Sequence, residues 1–324
     1  MQTSSATFSA ASVSELSFLW LELTTKCNLQ CIHCYADSGP HQQLLGNMST
    51  DDWLTVLRDS HEAGCRQVQF IGGEPTLHPD LPGMISFAAE QGYSFIEVYT
   101  NATRISDQLL KVFVDHEVRI AISFYSDDLE THDRITKNRG SFNRTVQNIR
   151  RMLSAGLQIR AGIIALAENA DHIERAERFL RELGVTDIKV DFKRGVGRGA
   201  GPLTSLDPMA ELCGECWKGK LCVTNTGQTY PCVFSRFAKI GDAKQGVSQI
   251  LATDSLWNFR RSLQTKWRNQ ESPVSVEAGC DPCNPPPFPA EPPAPQCQPS
   301  AYSQRGTLSS CDPCNPPPFD KCRP

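Results

Sequence analysis

Cys27, Cys31 and Cys34 lie in the stretch KCNLQCIHCY, at CxxxCxxC spacing. A short loop with thiols at those intervals can wrap them around one compact centre. Three thiolates on a four-iron cluster leave one iron without a protein ligand, open to a small molecule. The same logic separates catalytic from structural zinc, because an open coordination position permits chemistry. A closed zinc site would need a further His or Cys, and His33, between two of the thiols, is poorly placed for it. A second group, Cys213, Cys216, Cys222 and Cys232, occupies LCGECWKGKLCVTNTGQTYPC. A hairpin turning at Asn225–Gly227 would bring its flanking cysteines together, for an iron–sulfur cluster or a zinc knot. Cys280 and Cys283 form a CxxC, and Cys297, Cys311, Cys314 and Cys322 follow at looser spacings. Cys65 stands alone in a helix-to-strand turn and reads as a small core residue.

Fourteen cysteines in 324 residues need a reason. Disulfide scaffolds are usually short secreted chains. Here the first 25 residues carry no Lys or Arg, so no basic segment precedes the apolar stretch Leu16–Leu23, as an export signal would require. Reduced thiols binding metal in the cytoplasm are the expectation. The composition is 40% hydrophobic and 21% charged with a formal charge of −4, enough apolar material for a large domain plus a smaller one. So small a charge gives no electrostatic reason to expect nucleic acid or an anionic membrane as partner. No apolar run approaches the ~20 residues that span a bilayer.

The elements that must position these thiols follow from periodicity. Strand-like runs at Phe18–Leu23, Val68–Ile71, Phe95–Thr100, Arg119–Phe124, Ile159–Leu166 and Asp187–Phe192 alternate with helical patterns. Ser49 can cap a helix with Trp53, Val56 and Leu57 on one face, ended by Gly64. Val146, Ile149 and Leu153 precede Gly156, and Ile173, Ala176, Phe179, Leu180 and Leu183 precede Gly184, in the same design. Strand–helix repetition implies parallel strands with right-handed crossovers, hence an α/β fold built as a partial or complete barrel. Ligand sites in such folds sit at the C-terminal ends of the strands. Residues 1–15 are expected to be a disordered leader, 16–205 the barrel, 206–272 a small cysteine-rich domain and 273–324 a Pro/Cys-rich tail in which CDPCNPPPF occurs twice. Order in that tail would have to come from metal ligation or docking.

CxxxCxxC after the first strand, as TTKCNLQCIHCY, resembles the signature of the radical S-adenosylmethionine (SAM) superfamily. The resemblance implies a partial (β/α)6 TIM-type barrel holding a [4Fe-4S] cluster on Cys27, Cys31, Cys34 and SAM. Gly72-Gly73-Glu74-Pro75 follows the second strand and resembles the family's GGE motif, whose glycines admit close backbone approach and whose polar groups take SAM's ammonium. By the same resemblance His33 lies near adenine, Asn101 and Ser123 at strand ends face ribose and the methionine moiety, and Arg194 could pair with SAM's carboxylate. His132, Asp133 and Arg134 fall in a helix-start segment and read as structural. The implied chemistry is one-electron cleavage of SAM to methionine and a 5′-deoxyadenosyl radical, with the protein orienting the cofactor and excluding solvent.

Cys216, ten residues, Gly227, four residues and Cys232 resemble the opening of the SPASM domain, the auxiliary-cluster extension of peptide-modifying radical SAM enzymes. One auxiliary cluster is therefore expected; Cys280 and Cys283 supply only part of the array a second would need. Relatives of that type mostly crosslink, epimerise or oxidise ribosomally made peptides, so a peptide substrate is expected. The alternatives are dehydrogenation of a small molecule, maturation of a sulfatase, or, in another class, a non-catalytic iron–sulfur electron carrier. The first strand begins too early for a fused peptide-recognition domain ahead of it, which would leave leader binding to the chain itself or to a separate recognition protein. A flavodoxin- or ferredoxin-type electron donor is the further expected partner.

Overall fold

The structure is a computed structural model that describes residues 16–201, 204 and 206–268. The leader, the tail repeat and the candidate ligands Cys280 and Cys283 lie outside the described residues.

Each expected strand–helix unit forms for the reason its sequence suggests. Strand β1 (Phe18–Glu22) is buried at every position. Its Leu19 and Leu21 face the helix side, while Phe18 and Trp20 face the opposite cluster, the two-residue period of a strand covered on both faces. Helix α1 (Thr50–Glu62) opens on a reciprocal cap: Ser49 accepts from the Asp52 amide, and the Asp52 carboxylate accepts from the Ser49 amide. It buries Trp53, Val56 and Leu57. Strand β2 (Gln67–Ile71) and helix α2 (Leu81–Gln91) follow, then β3 (Phe95–Thr100) and α3 (Asp107–Asp115), whose N-terminus Ser106 caps. After β4 (Arg119–Phe124) come two helices, α4 (Leu129–Thr136) and α5 (Ser141–Ser154). Then come β5 (Ile159–Ala165), α6 (Ile173–Leu183) and β6 (Asp187–Phe192).

Strands β1 to β6 pair in sequential order and in parallel, and the sheet is open rather than closed into a ring. Its inner face carries a buried polar layer. Trp20 donates its indole N–H to Gln69 at 2.8 Å, Gln69 bonds Glu97, and Arg160 grips Glu97 with two 2.7 Å bonds. Arg160 also lies over the Tyr99 ring, whose residue borders the site described below.

The cysteine-rich segment does not build a separate sheet. Strand β7 (Lys220–Thr224) pairs in parallel with β1 on the side away from β2, and β8 (Gln228–Tyr230) and β9 (Gly241–Asp242) continue the sheet antiparallel. The turn at Asn225–Gly227 joins β7 to β8 where the hairpin was expected. Helices α7 (Val247–Leu251) and α8 (Asp254–Arg268) close the described part. Leu212, Val233, Phe234 and Leu263 pack with Phe18, Trp20, Ile71 and Phe95 in one cluster, so this segment completes the inner face of the sheet.

Candidate active site

The cysteine loop leaves the C-terminal end of β1, and a bridge between Lys26 and Gly39 ties its two ends together. Helix α4 holds one flank: the Gln30 amide donates to Thr136 O and the Ile32 amide to Ile135 O, both at 3.0 Å, and the Asn138 side chain donates to Asn28 O. Asp133 in turn accepts from the Phe142 amide and the Ser141 hydroxyl, joining α4 to α5. His132 is buried among Phe124, Tyr125 and Phe142. His132 and Asp133 are thus structural in this fold, as their position in a helix start suggested.

Cys27, Cys31 and Cys34 open onto one cavity at the C-terminal ends of the strands. His33, Gly72, Gly73, Asn101, Ser123 and Arg194 line the same cavity. The Gly73 amide donates to Thr24 O and the Glu74 amide to Lys26 O, stitching the turn after β2 onto the start of the cysteine loop. A Cβ on Gly73 would stand 2.3 Å from Lys26 O, so only glycine permits that approach. The Asn101 side-chain amide donates to Asn28 Oδ1 at 2.9 Å and to Cys27 Sγ at 3.6 Å, while the Tyr125 hydroxyl donates to Cys31 Sγ at 3.9 Å.

Burial dominates the electrostatics. It pushes the Cys27 thiol far up and the Cys31 thiol up to about 12, so both hold their protons until a metal displaces them. Burial, with the charges of Arg198 and Lys193 behind it, holds His33 down at about 4. Its ring is therefore neutral at physiological pH, edge-on to Tyr125 with centroids 5.0 Å apart. His33 Nδ1 is buried without a hydrogen-bond partner.

Two expected cofactor contacts are otherwise engaged. Glu74 does not line the cavity. Its buried carboxylate accepts from the Thr76 amide and hydroxyl, the Thr100 hydroxyl at 2.6 Å and the Asn101 amide at 2.8 Å. Burial raises its pKa and those donors oppose the rise, and through them Glu74 ties β3 to the turn after β2. Arg194 borders the cavity but bonds both carboxylate oxygens of Asp191, at 3.0 and 3.1 Å, and lies over the Phe234 ring. Tyr99, Tyr125, Arg198 and Phe234 line the cavity without having been singled out in the sequence. Tyr99 sits directly before the strand-end pair Thr100-Asn101, a readable signal; Phe234 comes from the far side of the chain and carries none.

Cys216, Cys222 and Cys232 are buried together behind Phe18 and Trp20, with Cys213 packed against them. Cys216 and Cys232 have their sulfurs 2.8 Å apart, and no disulfide forms among the described cysteines. Burial raises the Cys222 thiol; neighbouring Arg236, paired with Glu22, opposes this. Cys65 is buried, with its thiol donating to Gln67 O.

The donor set suits a multi-iron cluster. Three thiols of one loop face one cavity, and thiolates are the donors that iron–sulfur clusters take.

The comparisons with known proteins agree with this geometry. Residues 21–180 match the radical SAM superfamily. The chain is 26% identical over 180 residues to the antilisterial bacteriocin subtilosin biosynthesis protein AlbA of Bacillus subtilis, covering 55% of this chain and 40% of AlbA. It is 28% identical over 203 residues to the PqqA peptide cyclase of Granulibacter bethesdensis, covering 60% of this chain and 51% of the cyclase. The chain thus spans about half the length of these relatives. The fold is shared with Streptococcus suis SuiB bound to S-adenosylmethionine, at a TM-score of 0.65 and 16% identity over 77% of this chain and 68% of SuiB. With its cysteine loop, glycine turn and strand ends gathered around one cavity, the chain carries a radical SAM superfamily domain at residues 21–180.

Proposed function

We propose that this chain is a radical SAM maturase that abstracts hydrogen from a ribosomally made peptide. The observation that carries the reading is the single cavity onto which Cys27, Cys31, Cys34 and the Gly72–Gly73 turn open. When bound, a [4Fe-4S] cluster with SAM supplies one-electron cleavage of the sulfonium and a 5′-deoxyadenosyl radical. Cys27, Cys31 and Cys34 would hold the cluster. Gly72 and Gly73 would bring backbone to the methionine end of SAM, Asn101 and Ser123 would face its ribose and methionine moiety from β3 and β4, and neutral His33 would lie near adenine. Arg194, already neutralised by Asp191, shapes the rim through Phe234. Ile71, Tyr99, Tyr125, Ile164 and Phe234 give the cavity apolar walls that exclude water from a reactive radical.

The peptide substrate is supported by the relatives: one is named a PqqA peptide cyclase, and SuiB has been solved bound to the precursor peptide SuiA. In this reading Cys213, Cys216, Cys222 and Cys232 hold an auxiliary cluster, Cys280 and Cys283 are candidates for further ligation, and a small flavodoxin or ferredoxin delivers electrons. The test is anaerobic reconstitution with iron and sulfide, then incubation with SAM and reductant. 5′-Deoxyadenosine should form, and the Cys27→Ala/Cys31→Ala/Cys34→Ala variant should form none while keeping about half of the wild type's roughly eight irons. SAM cleavage by that variant at the wild-type rate would refute the assignment.

A further inference from the structure

Helix α4 grips one flank of the cysteine loop; the other is held from a place 160 residues along the chain, in the turn after β6. There Arg198 spends its guanidinium on this loop. Nε donates to Cys31 O at 2.9 Å, one terminal nitrogen to Ser38 O at 2.6 Å and the other to Asp37 Oδ1 at 2.7 Å. Its backbone N–H donates to Cys34 O at 2.9 Å. Asp37 is 68% exposed, so the ion pair alone would contribute little. The bonds to the carbonyls of two cysteines and Ser38 are another matter, because they fix backbone that no strand ladder supports.

The neighbouring residues are built to let this happen. Gly197 has φ +58, and a Cβ there would stand 2.4 Å from Tyr35 O and 2.5 Å from Cys34 O. A side chain at Gly197 would therefore both strain the backbone and push the turn off the loop. Arg198 itself is 22% exposed and borders the cavity. Its charge is permanent, and its planar fork reaches several acceptors at once, which an ammonium cannot do. The same charge already acts on the neighbouring side chains, opposing the rise of the Cys31 thiol and helping to keep His33 neutral.

We propose that Arg198 is the positioning residue of the cysteine loop: its fork sets the placement of Cys31 and Cys34 for the cluster, and its charge favours the cluster's reduced form. The proposal rests on the reading of Cys27, Cys31 and Cys34 as cluster ligands. Adding an electron to a cluster beside a fixed cation costs less than adding it without one, and cluster potentials follow local charge. Geometry and charge are separable, because Arg198→Lys keeps the charge and loses the fork, whereas Arg198→Gln loses both.

The test uses full-length reconstituted protein, with two readouts that do not depend on turnover. One is the rate of iron loss to a chelator. The other is the midpoint potential of the cluster whose electron paramagnetic resonance signal changes on adding SAM. Arg198→Gln should lose that cluster's iron several-fold faster and titrate at a more negative potential. Arg198→Lys should lose iron nearly as fast but titrate close to wild type. Gly197→Ala, which keeps the guanidinium charge nearby but pushes its turn off the loop, should lose iron faster with a smaller change in potential than Arg198→Gln, and it carries the test if Arg198→Gln fails to fold by circular dichroism. Wild-type iron retention in Gly197→Ala and in Arg198→Gln, or an unshifted potential in the latter, overturns the proposal. If the SAM-sensitive signal persists after Cys27, Cys31 and Cys34 are all replaced by Ala, the underlying ligand assignment fails instead.

Discussion

At the scale of single residues, the site separates side chains that face a ligand from those that hold other residues in place. Glu74 belongs to the glycine-turn motif, and its carboxylate also fastens that turn to β3. Four donors converge on its carboxylate from Thr76, Thr100 and Asn101. Glu74→Ala leaves buried donors unsatisfied and should cost about 3 kcal/mol of stability, read as a shift in urea midpoint. It should also weaken SAM binding by letting the Gly72–Gly73 turn and Asn101 drift, with the cluster's iron content unchanged. A variant with lowered SAM affinity but wild-type stability would show that the carboxylate meets the ligand after all.

At the scale of elements, the helix pair α4–α5 is the brace against which the cysteine loop rests, and it carries a pH-sensitive residue. His132 Nδ1 is 3.1 Å from the Ser141 hydroxyl, while Nε2 is buried without a partner. Burial holds its pKa down to about 4, with nearby Asp133 opposing. The unfolded chain takes up that proton near the ordinary histidine value, about 6.5. The folded state does so only near 4, so the stabilisation is complete above 6.5 and is lost as the pH falls towards 4. This one group should contribute about 2 kcal/mol of the stability lost between pH 7 and pH 5. His132→Phe suits the aromatic surroundings and should flatten the pH dependence over that interval in urea melts. A variant as acid-sensitive as wild type would place the effect elsewhere.

At the scale of the whole molecule, the segment that carries the second cysteine set is part of the first sheet. Strand β7 shields the edge of β1, the strand that delivers the cysteine loop, and Phe234 reaches the cavity wall from just beyond Cys232. No helix among the described residues is long and apolar enough to cross a membrane. A chain cut at residue 205 would bare the β1 edge and uncover Phe18 and Trp20, which pack with Leu212, Val233 and Leu263. Such a fragment should be insoluble or lack a cooperative melt; a soluble fragment unfolding in one transition would show that the barrel stands alone.

What the sequence determined by itself is local. Strand runs such as Phe95–Thr100 and Asp187–Phe192, the Ser49 cap and the turn at Asn225–Gly227 all follow from periodicity, capping chemistry and turn residues within a few positions of one another. The cysteine and glycine motifs were legible for the same reason, since ligand spacing and close backbone approach are written in consecutive residues. Only the tertiary structure decided which polar groups are spent on one another. Arg194 and Arg198 are four residues apart in one glycine-rich stretch, and nothing in the chain's order says that the first turns to Asp191 and the second to Cys31 and Ser38. That choice, like the parallel pairing of β7 with β1, is made between residues distant in sequence, where packing and the satisfaction of buried polar groups outweigh any local preference.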